Sequence, residues 1–186
     1  MRLHLLLALF ATFVSVDIAR ADPNVGEMSV DFVMSQGDCA KALELAEPHA
    51  SRGEPWAQYR MGMINFDERC PIQLAKAIEW LQKAATFKAE SDWEKGVTLP
   101  ILGPSGYFNA RSSATKAAVT LGKIFATAGY PAMNWYWSRR AATQYSADEK
   151  QYKELALTVE SLEASVPSSD QAKITQHWDS TLPWHK

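Results

Sequence analysis

The sequence predicts an all-α protein assembled from repeated helix pairs. Three observations carry that prediction. Apolar residues recur at helical spacing almost everywhere after Gly37. No run alternates apolar and polar residues as a half-buried strand does, and no Asn-Gly hairpin signal occurs. Segments of the chain also match one another. Trp80-Leu81-Gln82-Lys83-Ala84-Ala85 returns as Trp137-Ser138-Arg139-Arg140-Ala141-Ala142, and Ala57 through Met61-Gly62 returns as Ala118 through Leu121-Gly122.

The first residues belong to a different physical problem. Met1-Arg2-Leu3-His4 is basic, Leu5 to Val16 is apolar, and Ala19-Arg20-Ala21 precedes Asp22-Pro23. These are the three parts of a secretory signal peptide. The apolar run makes about 18 Å of helix, against a hydrocarbon core of ~30 Å. A retained membrane anchor is the competing reading. With no Cys at the cleavage point, a lipoprotein is disfavoured. Residues 1–21 are therefore expected to be removed, leaving Asp22–Lys186 as a periplasmic or secreted protein with a lead-in over 22–37.

Composition sets further bounds. The chain has 186 residues, 47% of them hydrophobic, with a formal net charge of −2. That suits one ordinary domain with a real core and excludes a disordered chain. The slight acidic excess leaves no surplus of Lys and Arg to neutralise phosphates, so nucleic acid is not an expected partner. Four His and two Cys are too few to favour a multi-ligand metal site, and neither a metal nor another cofactor is expected. No later segment is apolar enough over sufficient length to span a membrane.

The elements follow in order. Lys41-Ala42 and Leu45 match Lys76-Ala77 and Trp80, which marks a partial first repeat. Pro55, Pro71, Pro131 and Pro167 stand where helices can begin, since proline's fixed φ and missing N–H suit only the first turn. After Pro71, Leu74, Ala77, Ile78, Leu81, Ala84 and Ala85 form one apolar stripe. Tyr152, Leu155, Ala156, Val159 and Leu162 form another, on a helix expected over about 148–165. Pro167 breaks it, and Ser168 or Ser169 opens a last helix carrying Ile174 and Trp178. Repeats of roughly 30–40 residues, each a helix pair, point to an α-solenoid whose final helices act as a cap. Gly62, Gly122 and the two Ala-Ala pairs are small enough for close helix approach, and Trp80 and Trp137 would fill the space beside them.

This pattern resembles the Sel-1-like repeat family, cousins of the tetratricopeptide repeats. The residues that match are Ala57, Gly62, Lys76, Ala77, Trp80, Lys83, Ala84 and Ala85 in one copy, and Ala118, Leu121, Gly122, Trp137, Arg140, Ala141 and Ala142 in the next. The usual Gly-rich turn is replaced by Asp67-Glu68-Arg69-Cys70 in the first and shortened to Gly129-Tyr130-Pro131 in the second. The resemblance covers about residues 38–146. It implies a short right-handed α/α solenoid: a partial repeat over 38–54, a repeat over 55–87, a long insert loop over 88–113, a repeat over 114–146, and capping helices and tail over 147–186. It also implies candidate activities. Exported members of similar families include immunity proteins that block secreted lipases or cell-wall enzymes. Some Cys-rich relatives have been linked to hydrolysis of cell-wall or β-lactam substrates, but this chain lacks their regular cysteine pairing.

Two segments stand out as candidate partner surfaces. The 88–113 connection is far longer than the few residues a helix pair needs, and it carries Trp93, Tyr107 and Phe108 among aliphatic residues. It fits either a partner-contacting loop or a cover over the flank of the solenoid. The second segment is Trp135-Tyr136 with Arg139, where an Arg four residues beyond a Trp can stack on its ring. Aromatics and Arg are favoured interface anchors, although Trp135 fits equally well as packing against a neighbouring connection. Catalytic motifs are missing. Gly103-Pro104-Ser105-Gly106 fails the nucleophile-elbow spacing, Asp67-Glu68 reads as a solvated turn, and His49, His177 and His185 stand alone. The sequence thus favours a non-enzymatic protein-binding module, with a structural adaptor of the envelope or a hydrolase as alternatives.

Cys39 and Cys70 complete the reading. An even count in an oxidising compartment suggests a disulfide, with two unrelated buried thiols as the alternative. A bridge closing a loop of roughly 30 residues contributes about 3–4 kcal/mol. If Ala42 aligns with Ala77, both cysteines fall near the starts of successive second helices, on one rim of the stack. Thiol labelling under denaturing conditions is expected to find no reactive cysteine in native exported protein and two after reduction. Two free thiols in oxidised material would contradict the bridge.

Overall fold

Prolines and glycines punctuate the chain much as their backbone limits require. The computed structural model describes residues 23–87, 104–144 and 150–181, and these are helical with no strand among them. The helices are α1 (Pro23–Ser35), α2 (Cys39–Ser51), α3 (Pro55–Phe66), α4 (Leu74–Ala85), α5 (Pro104–Thr127), α6 (Pro131–Ala142), α7 (Lys150–Ser165) and α8 (Ser168–Thr181). Four of them open on Pro, where the missing N–H costs no intrahelical bond. Asp38 caps α2 by accepting from the Lys41 N–H at 3.0 Å. Gly37, Gly53 and Gly129 follow α1, α2 and α5 with φ of 77°, 84° and 78°, the left-handed conformation that ends a helix and that other residues enter at a cost.

Two elements differ from expectation. The 22–37 lead-in contains a helix, α1, whose Val30 is fully buried while Val25, Met28 and Phe32 face solvent. The insert loop expected over 88–113 is helical from Pro104 onward, so α5 begins well before the repeat signature does. Pro104 is a good first residue for a helix, and Ala110, Ala114, Ala117 and Ala118 sustain it. Residues 88–103 lie outside the described part, as do residues 1–22, which include the expected signal peptide, residues 145–149 and the 182–186 tail.

From α1 to α7 consecutive helices pack on one another in chain order, α1 on α3 and α3 on α5 add second-neighbour contacts, and α8 packs chiefly on α6 rather than on α7. The decisive contacts are at Gly62 and Gly122. A Cβ on Gly62 would lie 2.6 Å from Leu81 Cγ and 3.2 Å from the Ala77 carbonyl oxygen. A Cβ on Gly122 would lie 3.1 Å from Ser138 Oγ and 3.2 Å from Asn134 Oδ1. Asn134 and Ser138 occupy the places in the second copy that Ala77 and Leu81 occupy in the first. The α3–α4 and α5–α6 pairs therefore meet at corresponding positions, as the internal sequence match requires.

The core falls into two clusters. One joins α1, α2 and α3 through Val30, Ala42, Ala46, Trp56 and Ile64; the other joins α4 to α8 around Leu81, Ala117, Leu121, Trp137 and Ala141. Trp137 is fully buried, but its counterpart Trp80 is only partly buried, with the Lys83 ammonium 4.1 Å from its ring centroid. The difference has a simple cause: α8 brings Trp178 to 5.6 Å from the Trp137 ring, whereas Trp80 lies at the margin of the α1–α3 cluster.

Polar groups lock the connections. Glu54, 6% exposed between α2 and α3, accepts through Oε1 from Arg52 Nε at 3.0 Å and through Oε2 from Trp56 Nε1 at 2.9 Å, and His49 Nδ1 lies 2.7 Å from the same Oε2. A buried carboxylate is tolerable only with partners of this kind. Arg60 reaches from α3 to Glu27 and Asp31 of α1, at 3.0 and 2.7 Å. Before α4, Arg69 grips Asp67 through its backbone and side chain, which lowers the Asp67 pKa to about 2. The next residue, Cys70, is bonded to Cys39 at the start of α2, with Cα atoms 5.8 Å apart. The bridge thus ties α2 to the α3–α4 connection. No described helix is long and apolar enough to cross a membrane.

Gly62→Ala is expected to lower stability by about 1–3 kcal/mol, the cost of overpacking a filled core, because Leu81 is fully buried and has nowhere to move. Gly122→Ala should cost less, since the nearest contact of the added Cβ is 3.1 Å rather than 2.6 Å. Chemical denaturation of the two variants measures the order, and an equal or reversed ranking would contradict it.

Candidate functional site

The features most able to hold a ligand gather where α8 lies across α6. Helix α6 is short and crowded with large side chains because Trp135, Tyr136 and Trp137 are consecutive. Successive residues turn by about 100° around a helix axis, so three in a row must address three different neighbours. Trp137 packs inward against α5. Trp135 turns to α7, with its indole N–H 3.4 Å from Glu163 Oε1. Tyr136 turns to α8, donating from its hydroxyl to Asp179 Oδ1 at 3.1 Å. Burial raises the Tyr136 pKa, and the Asp179 charge raises it further, so the hydroxyl keeps its proton.

Trp178 is the main anchor of α8. Its ring stacks at 6.4 Å on Tyr136 and meets Trp137 edge-on, and its indole N–H approaches Met133 Sδ at 3.1 Å. Aromatic clusters of this type add to area burial through their ring geometry. Trp137 Nε1–H is buried with no hydrogen-bond partner among the described residues, so dispersion and ring contacts hold that side chain.

Depressions open on both sides of α8. On the side of the α5–α6 turn lies a groove of about 550 Å³. Pro131, Met133, Ile174 and Trp178 supply its apolar lining, and Asp170, Lys173 and His177 supply polar groups. Tyr130 stands at the groove 59% exposed, its ring edge-on to Phe125 at 6.4 Å. Lys173 and Asp170 face each other at 3.6 Å across one helical turn. On the opposite side, Tyr136, Arg139 and Arg140 of α6, with Thr143 capping its C-terminus, face Thr175 and Asp179 of α8 around a smaller pocket of about 190 Å³. Burial lowers the Arg140 pKa, and its Nε donates to the Ala85 carbonyl at the end of α4 at 2.8 Å.

The structure separates the residues that the sequence offers as partner contacts. Trp135 and Tyr136 are 2% and 6% exposed, which corrects their expected role as surface anchors. They are buried because α7 and α8 fold over α6, a packing that local periodicity does not encode. Arg139 is exposed and stacks over Trp135, its guanidinium carbon 5.3 Å from the ring centroid. Tyr107 and Phe108 lie on the first turns of α5 rather than on a loop, and their side chains lie outside the described residues. Trp93 lies outside them altogether. Sequence reasoning missed Tyr130, Pro131, Met133 and His177 as groove residues. The pairing of Ile174 with Trp178 was a usable signal for α8, but nothing in it named α6 as the neighbour.

Among the described residues, no group of three or more His, Cys, Asp and Glu side chains is placed to hold a metal ion. No protein-family model, curated protein or solved structure matches the chain.

Trp178→Ala is expected to release α8. Hydrogen exchange of amides 168–181 should accelerate at least about tenfold, while amides of α3 and α4 keep their protection. Unchanged exchange in α8 would show that Trp178 does not anchor it.

Proposed function

We propose that this chain is an exported, non-enzymatic protein-binding module, a short solenoid of Sel-1-like helix pairs that holds a partner polypeptide in the groove between α6 and α8. One observation carries the reading: an apolar groove edged by ionisable groups, with a large aromatic side chain, Tyr130, standing at its mouth. Protein interfaces are built this way, with an apolar centre, a polar rim and aromatic anchors. The signal-peptide pattern and the bonded cysteines support an exported setting. The two helix pairs meeting at Gly62 and Gly122 support the repeat architecture. The resemblance to exported Sel-1-like proteins narrows the partner to a secreted toxin or an envelope enzyme, which this chain would block in the manner of an immunity protein.

The experiment is affinity capture from an envelope and secretome extract with wild-type protein and with Tyr130→Ala/Lys173→Glu. Both positions are exposed, so the variant should fold normally. A single dominant polypeptide should be retained by the wild type and bind the variant at least about tenfold more weakly, a difference of about 1.4 kcal/mol. Equal capture by both proteins would remove the groove from the reading. The variant Trp93→Ala/Tyr107→Ala/Phe108→Ala, run beside it, reports on the 88–113 segment instead.

A further inference from the structure

The smaller pocket on the other side of α8 is unusual for a helix–helix seam. Such seams are ordinarily filled by apolar side chains, because burying polar groups costs free energy unless each is partnered. Here all six lining residues bring hydrogen-bonding side chains: Tyr136, Arg139, Arg140, Thr143, Thr175 and Asp179. The α6 contributors recur every three or four residues, so they form one continuous polar face. We propose that this pocket is a binding site for a carboxylate group, held by the Arg139 and Arg140 guanidinium groups with the Thr175 hydroxyl beside them.

Geometry and charge set the chemical class. Guanidinium groups present a planar fork that matches a carboxylate, and two of them line the same cavity. Arg140 is oriented by its Nε bond to the Ala85 carbonyl. Arg139 is oriented by its stack on Trp135. Arg139 also lines a neighbouring depression on its α7 side, together with Glu160 and Glu163, neither of which lines this pocket. Asp179 reduces the charge of the lining to one positive, which suits a monoanion better than a phosphate dianion. The Tyr136 hydroxyl donates to Asp179, turning that carboxylate's Oδ1 toward the tyrosine. A volume of about 190 Å³ admits a group the size of an acidic side chain and is small for a drug-sized ligand.

Such a carboxylate has two sources, a small free acid or an acidic side chain of the polypeptide bound in the neighbouring groove. The second deepens the binding-module reading and rests on it. The test follows the arginine Nε–Hε resonances of the full chain during titration with acetate, with the blocked peptide acetyl-Ala-Glu-Ala-amide, and with its Gln counterpart. The expected result is a saturable shift of the Arg139 and Arg140 signals with at least one carboxylate and none with the Gln peptide. In Arg139→Gln, whose folding is checked by its melting temperature, the Arg140 shift should weaken at least tenfold. Saturation by acetate assigns a free acid, and saturation by the Glu peptide alone assigns a side chain. No saturable shift with either carboxylate, or an equal shift with the Gln peptide, overturns the site. Because these probes are small molecules, that failure is separate from any failure of partner capture through the groove.

Discussion

The close approach of α4 to α3 at Gly62 is the constraint on which the rest of the packing depends. With no side chain at that position, Leu81 enters the α3 surface and is fully buried. Ala77, Ala84 and Ala85 then bring the remaining length of α4 into contact. The same device at Gly122 draws α6 against α5. Small residues at a crossing exchange side-chain volume for backbone proximity, and that exchange works only if large residues fill the flanks. Trp137 performs that role in the second pair. Trp80 does so only partly in the first, since no described helix covers it as α8 covers Trp137.

The order of the helices carries this local device through to the two depressions beside α8. Once α6 is held against α5, its three consecutive aromatics must point to different neighbours, and α7 and α8 are the elements that receive them. Trp178 holds α8 against α6, and a depression lies on each side of α8. One space is lined by apolar side chains beside Tyr130, and the other by guanidinium, hydroxyl and carboxyl groups. The last helix and the candidate site are thus the same structure. The other end is secured differently, by the Cys39–Cys70 bond, the Arg60 ion pairs and the Glu54 cluster.

Much of the fold was legible because it is written in local signals. Helix starts at Pro55 and Pro131, the break at Pro167 and the final helix from Ser168 all follow from proline and capping chemistry. The pairing of Cys39 with Cys70 followed from compartment and repeat phase. Helix α1 was missed although Val30, Val33 and Met34 have helical spacing, since it lies ahead of the repeat signature. The early start of α5 was missed because Gly103, Pro104 and Gly106 read together as loop residues, whereas Pro104 alone suits a first turn. The site was the least legible part. Trp135 and Tyr136 carry the composition of an interface, but composition cannot tell an aromatic that meets a partner from one that meets α7 or α8. That distinction lies in contacts between residues more than 25 positions apart.

The account places one side chain, Leu81, in the space that a glycine leaves open. A double-mutant cycle between positions 62 and 81 measures that directly. Leu81→Ala alone removes a buried side chain and should cost about 2–5 kcal/mol. In that background the methyl group of Gly62→Ala enters vacated space, so the second substitution should be neutral or stabilising. If Gly62→Ala destabilises the Leu81→Ala protein as much as it does the wild type, the two helices do not meet through this contact.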